Sequence, residues 1–185
     1  DRPAGRGRQL RPSPVKEVAA AAGIPVYQPE RLRSDEAVAP LRQWAPDIIV
    51  VAAFGQILRA NVLELPPAGC LNIHASLLPR WRGASPIQHA ILMGDAESGI
   101  SLMKMEAGLD TGPVYVSQAL PLAPDETAQT LHDRLAELGG SLLAEHLEAI
   151  VAGELIPEPQ DETLATYAPR IDKAAGLTEW QRTAI

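Results

Sequence analysis

Aromatic residues make up only 4% of the 185 positions, so the core has to be built from Ala, Val, Ile and Leu. The single cysteine, Cys70, has no partner for an internal disulfide, and a reducing, cytosolic setting is the expectation. No apolar run approaches the ~20 residues of a helical membrane span, so no membrane association is expected. The opening stretch Asp1-Arg2-Pro3-Ala4-Gly5-Arg6 lacks the apolar segment of a secretory leader, and none is expected. No Gly-x-Gly-x-x-Gly joins a strand to a helix, and Arg6-Gly7-Arg8 has no strand before it, which argues against a dinucleotide site. One cysteine and scattered histidines give no ligand pair of metal-site spacing, so no metal is expected. Ser76 lacks the Gly-x-Ser-x-Gly surroundings of a nucleophilic serine. Internal repeats and low-complexity tracts are also missing.

What is present suits one globular domain. Apolar residues reach 46%, close to the norm for folded chains, and the length supports one good core rather than two. A net charge of -7 argues against a nucleic-acid binder taken whole. The first sixteen residues depart from that balance, with Arg2, Arg6, Arg8, Arg11 and Lys16 against one acid, Asp1. Such an arm can touch phosphate while the acidic body stays soluble; a solvated tail is the competing reading. The chain opens without Met, and residues 178–185 begin a helical pattern without a cap, so a piece of a longer protein is expected.

Along the middle of the chain, helix and strand signals alternate. Ser13 before Pro14 predicts a helix to about Ala22, closed at Gly23. Residues 24–28 read as a short strand. Ser34 or Asp35 caps a helix to about Ala45, with Pro40 inside it. Asp47-Ile48-Ile49-Val50-Val51-Ala52-Ala53 has the apolar continuity of a strand buried on both faces of a parallel sheet. Residues 70–74 form another strand, Ser85-Pro86 opens a helix to about Met93, and residues 100–105 and 114–122 give two more strands. Thr127 caps a long amphipathic helix towards Val151, with a weak point at Gly139-Gly140; beyond Gly153 the chain reads as irregular. The expected fold class is α/β, an open, mostly parallel sheet with helices on both faces and a Rossmann-like order. In such sheets ligands sit at the carboxyl ends of the strands, where Asn72 and His74 fall.

Asn72 and His74 are two apart, so on a strand their side chains share a face. An amide donor beside an imidazole suits acyl transfer, one stabilising an oxyanion and the other moving a proton near neutral pH. Asp110, between Gly108 and Gly112, is the best candidate for the carboxylate that such a histidine needs. Strand-end residues bonded to local backbone, and a simple turn-forming aspartate, are the plainer readings of the same residues. His89, His132 and His146 sit in predicted helices and read as structural or exposed.

The run Asn72-Ile73-His74-Ala75-Ser76-Leu77-Leu78-Pro79, continued by Arg80-Trp81-Arg82-Gly83-Ala84, resembles the signature of the formyltransferases that use 10-formyltetrahydrofolate. Leu109-Asp110-Thr111-Gly112 resembles that family's second catalytic loop. The basic opening, the 79–88 motif and the stretch from Gln160 to Ala168 are most similar to the branch whose acceptor is initiator methionyl-tRNA. The resemblance implies a catalytic set of Asn72, His74 and Asp110, and folate contacts from Ser76, Leu77, Leu78 and Pro79. Phe54-Gly55 and Asp125-Glu126-Thr127 are expected near the pteridine end, and tRNA contacts from Arg2, Arg6, Arg8 and Lys16. It implies 10-formyltetrahydrofolate as co-substrate and a monomeric state. It also implies a catalytic domain over 1–170 without the family's first strand–helix–strand unit, and a linker at 171–185 towards a β-barrel domain absent here. A formyltransferase for a glycinamide or amino-sugar nucleotide, a non-catalytic folate-binding module and a folate hydrolase would keep the same central residues.

Overall fold

Residues 2–4, 9–172 and 174–176 are described in the computed structural model, with side chains from residue 12 onward. Where the sequence reads as turn-like, the chain pairs β1 (Arg2–Ala4) with β2 (Gln9–Arg11) as an antiparallel ribbon. Helix α1 (Pro14–Ala21) follows as expected. The Ser13 hydroxyl accepts from the Lys16 amide, and Gly23 turns the chain out at φ +69°. The strand expected over 24–28 does not form. Among the described residues no strand runs beside it to take its hydrogen bonds, and Ile24 and Val26 are exposed.

Ser34 caps α2 (Asp35–Trp44), which ends on Ala45 in the left-handed region. Pro40 stays inside this helix, and its fully buried Val38 packs towards α3 (Ala60–Leu63). Strand β3 (Ile49–Val51) is shorter than its apolar run suggests, because Ala53 turns at φ +47° just beyond it. Nor is it buried on both faces: its only partner among the described residues is β4 (Cys70–His74), and Val50 stays 37% exposed. Helix α4 (Pro86–Leu92) leads to β5 (Glu97–Lys104), which pairs with β6 (Val114–Pro121).

The sheet order is β3-β4-β5-β6. The open α/β arrangement stands, but the sheet is mixed. β3 runs parallel to β4, whereas β4–β5 and β5–β6 are antiparallel. Strand direction follows from how each connection returns, and the short 105–113 link leaves β6 no course other than antiparallel.

Alternation along β4 divides the core. Leu71 and Ile73 face Ile100 and Leu102 and meet α4 and α5 (Ala128–Val151). Cys70 faces the other way, onto Val38, Leu58 and Val62. Burial pushes the Cys70 thiol up to about 11, so it stays neutral and unreactive. Helices therefore cover both faces. None among the described residues is long and apolar enough to cross a membrane.

Helix α5 starts from a reciprocal cap, with Thr127 accepting from the Thr130 amide and Thr130 from the Thr127 amide. Its buried stripe, Leu131, Leu135, Gly139, Leu142 and Ile150, follows the helical period. The helix runs unbroken through Gly139-Gly140, where a weak point was expected. Gly139 is the point of closest approach to the sheet, since a Cβ there would lie 2.9 Å from Ile73 Cγ2. Gly140 faces solvent with nothing near.

The two glycines should therefore respond oppositely to substitution. Gly140→Ala is expected to stabilise by about 0.5–1 kcal/mol, raising Tm by roughly 1–4 °C. Gly139→Val should cost about 1–3 kcal/mol through overpacking. Thermal unfolding of both variants checks the pair.

Candidate functional site

The polar stretch of β4 lies on the Cys70 face of the sheet, beyond the apolar cluster. Asn72 and His74 project from that face, as their two-residue spacing predicts, and His74 pairs in register with Ser101 of β5. The surroundings there are polar. Ser101 donates to the Ser76 carbonyl at 2.8 Å, accepts from the Leu78 amide at 3.0 Å and meets the Ser117 hydroxyl at 2.8 Å.

His74 is buried and its tautomer can be read from its partners. The Ser76 hydroxyl lies 2.6 Å from the Arg80 carbonyl, which only accepts, so Ser76 spends its single proton there. His74 Nδ1, 3.0 Å from the same hydroxyl, must then carry a proton and donate. That leaves Nε2 as the nitrogen turned towards Asp110. It sits 3.2 Å from Asp110 Oδ2, yet off the line of a hydrogen bond, and is a buried polar atom without a hydrogen-bond partner. An unmet buried nitrogen beside a carboxylate is poised for a reacting group or for a shared proton.

Asp110 does not arrive from the end of β4. It comes from the loop that leaves β5 at Lys104, opposite Leu71 and therefore near the start of β4. The loop turns back so that the Asp110 side chain reaches His74, three residues further along β4 than Leu71. Asp110 takes φ +54° to do so, a region that ordinary side chains avoid. Its Oδ2 accepts from the Gly83 amide at 2.9 Å, and its Oδ1 has a long contact, 3.5 Å, with Asn72 Nδ2. Gly83 is required there, because at φ +114° a Cβ would lie 2.9 Å from the Ala168 carbonyl. Thus Asp110 is both the turn residue and the carboxylate partner. Burial raises its pKa, but His74, the Gly83 amide and the Arg82 charge together outweigh burial and hold it below the ordinary 3.8.

The structure thus brings Asn72, His74 and Asp110 together. Ser76 is fully enclosed, with its hydroxyl committed to His74 and Arg80, while Leu77, Leu78 and Pro79 continue past it half-buried. Leu77 packs against Gly99 of β5. Phe54 packs with the Val38 cluster. The Asp125-Glu126-Thr127 turn serves the start of α5, with Glu126 bound by Arg134 and Thr130. Lys16 is half-buried in α1, whereas Arg6, Arg8 and the side chain of Arg2 lie outside the described residues, as does the 178–185 pattern. His89 donates to the Ser85 carbonyl and lies at a tilt against the Trp81 ring, and His132 pairs with Asp133 in the open, as structural and exposed histidines do.

Sequence reasoning missed the support for Asp110. Arg82, fully buried, forks onto Glu162 at 2.7 and 2.8 Å and onto Gln160 Oε1 at 2.9 and 3.0 Å. The 160–168 segment lies along the 79–85 loop, with Arg82 bonded to Thr166 and Ala168 through the backbone. No local pattern announces this contact, which joins residues about eighty positions apart.

A family model described as formyl transferase matches residues 1–147. The chain belongs to the formyl transferase family. It is 55% identical over 184 residues to a methionyl-tRNA formyltransferase of Acidithiobacillus ferrooxidans, covering 100% of this chain and 59% of that protein. It is 50% identical over 185 residues to one from Trichlorobacter lovleyi, covering 100% of this chain and 58% of that protein. The chain thus spans less than two thirds of the length of these relatives. Among solved structures, a formyltransferase from Anoxybacillus kamchatkensis, in complex with UDP-4,6-dideoxy-4-formamido-L-AltNAc and tetrahydrofolate, shares the fold at a TM-score of 0.67. Its identity is 22%, with 84% of this chain and 79% of that one covered.

A depressed Asp110 pKa has a definite sign. The folded state holds the ionised carboxylate more strongly than the unfolded state, so its stabilisation is complete above the ordinary 3.8 and is lost as pH falls through the lower folded value. Asp110→Asn should unfold at lower denaturant than wild type at neutral pH. The gap should narrow as the solution is acidified below pH ~4; a gap independent of pH would contradict the assignment.

Proposed function

We propose that this chain carries the centre that transfers a formyl group from 10-formyltetrahydrofolate to the α-amino group of initiator methionyl-tRNA. The observation that carries the chemistry is His74 Nε2, buried, without a hydrogen-bond partner and 3.2 Å from the Asp110 carboxylate, beside the Asn72 amide. Support for the acceptor comes from the named relatives at 50–55% identity over the whole chain.

In this reading the amine attacks the formyl carbon, and negative charge builds on the formyl oxygen. The Asn72 amide and a protonated His74 Nε2 donate to that oxygen, in a site where donors fixed by neighbouring groups need no reorganisation. The bond to the folate N10 then breaks, and the proton lost by the amine passes to N10 with Asp110 and His74 as relay. The Ser76 hydroxyl keeps the proton on Nδ1, so that Nε2 always faces the reaction. Leu77, Leu78 and Pro79, with Phe54-Gly55, supply the apolar side of the folate site. The site needs no metal for these steps. The protein acts in the cytoplasm as a monomer.

The basic opening is read as the tRNA contact, with Arg2, Arg6, Arg8 and Lys16 neutralising phosphates near the acceptor end. On that basis Arg6→Ala should raise KM for charged tRNA while leaving KM for the folate unchanged, with a KM that depends less steeply on salt. A tRNA KM equal to wild type would remove the arm from the reading.

Asn72→Ala and His74→Ala in the complete protein should each lower kcat by roughly a hundredfold or more, the usual cost of losing an oxyanion donor. Formylation of charged initiator tRNA is the assay, run beside glycinamide ribonucleotide and an amino-sugar nucleotide as acceptors. Turnover at the wild-type rate in either variant would sink the catalytic assignment, and faster transfer to a small amine would sink the choice of acceptor.

A further inference from the structure

We infer that Gln160 is a positioning residue for this reaction, holding the 105–113 loop in the one shape that lays the Asp110 carboxylate against His74. The inference rests on the function proposed above. Gln160 lies fifty residues beyond Asp110, in the segment that follows α5. Its Nε2 donates to the Asp110 carbonyl at 2.9 Å and to the Gly112 carbonyl at 2.6 Å. Its Oε1 accepts from Arg82 Nε at 3.0 Å and Nη2 at 2.9 Å. These partners fix the amide orientation, because a guanidinium only donates and the two carbonyls only accept.

The loop needs such a hold. It must fold back along β4, and Asp110 takes a left-handed backbone that by itself favours another shape. Gly112 is already pressed against the Lys104 carbonyl, leaving no room for a side chain. One amide thus ties two loop carbonyls to a guanidinium that is fully buried, and Arg82 is followed directly by Gly83, whose amide holds the other end of Asp110. Backbone and carboxylate of Asp110 are therefore referred to a single buried frame. Glu162, at the exposed end of that frame, pairs with Arg82 and keeps its charge balanced.

A plain tether of the 160–168 segment predicts a different outcome from a positioning residue. Gln160→Glu keeps the length and the contact with Arg82 but replaces the donor with an acceptor facing two carbonyl oxygens. Gln160→Met keeps the length and adds no charge, removing the donor together with the Oε1 acceptor of Arg82, should the first variant fold poorly. Both are made in the complete protein. We expect kcat for formylation of charged initiator tRNA to fall about ten- to a hundredfold, as when a reacting group is misplaced by about 1 Å. Tetrahydrofolate Kd should change by less than about threefold, since the proposed folate contacts are untouched. Amide hydrogen exchange in 106–112 should rise about tenfold or more, with β4 and α5 unchanged. Wild-type kcat and loop exchange in both variants would overturn the inference. So would loss of protection across β4 and β5 along with the loop, which marks a general structural role. If wild type itself formylates no charged tRNA while the loop still responds, the functional reading is overturned and the loop contact alone is upheld.

Discussion

A carboxylate partly withdrawn from solvent beside an imidazole is costly unless polar groups and charge surround it, and the Asp110–His74 contact sets this requirement for the whole site. Polar groups reach it from three directions. His74 Nε2 approaches from β4, the Gly83 amide donates from the following loop, and the Asn72 amide makes a long contact from two residues back along the strand. Each contact constrains its own surroundings. Gly83 can carry no side chain, Asp110 must adopt a left-handed backbone, and Arg82 has to be buried to keep both in place. The Arg82 charge is tolerated because Glu162 and Gln160 together satisfy its fork.

The same strand serves two purposes through its alternation. Leu71 and Ile73 fasten β4 to α5 and α4, while Asn72 and His74 are held rigid on the opposite face. A site built on a strand backed by a long helix loses little precision to thermal motion, which the proposed reaction needs of donors that are in place before charge develops. Ser76 adds a second constraint by fixing which ring nitrogen carries the permanent proton. The unmet Nε2 is thus a consequence of the hydrogen bonds behind it.

Much of this was legible from residue patterns. Ser13, Ser34 and Thr127 announced their helices because capping is a local interaction between neighbours in sequence. The stripe on α5 and the shared face of Asn72 and His74 followed from helical and strand periods alone. The sense of β4 against β5 was not legible, because it depends on how residues 75–96 return, whereas the short 105–113 link by itself allows only an antiparallel β6. Residues 24–28 read as a short strand and the run around Val50 as a strand buried on both faces, yet pairing and burial depend on what lies alongside: 24–28 is unpaired among the described residues and Val50 is exposed.

Local chemistry and spacing thus determined the caps, the α/β class and the identity of the donor pair on β4, since each depends on residues within a few positions of one another. Asp110 could be named from its Gly-flanked loop, but only the tertiary structure decided that it reaches His74, because the loop must travel back along the sheet and be held there. That hold is made by Arg82 and Gln160, 78 residues apart. The proton on Nδ1 is set within residues 74–80, by Ser76 and the Arg80 carbonyl, whereas the placing of Asp110 against Nε2 and its left-handed turn depend on that long-range closure.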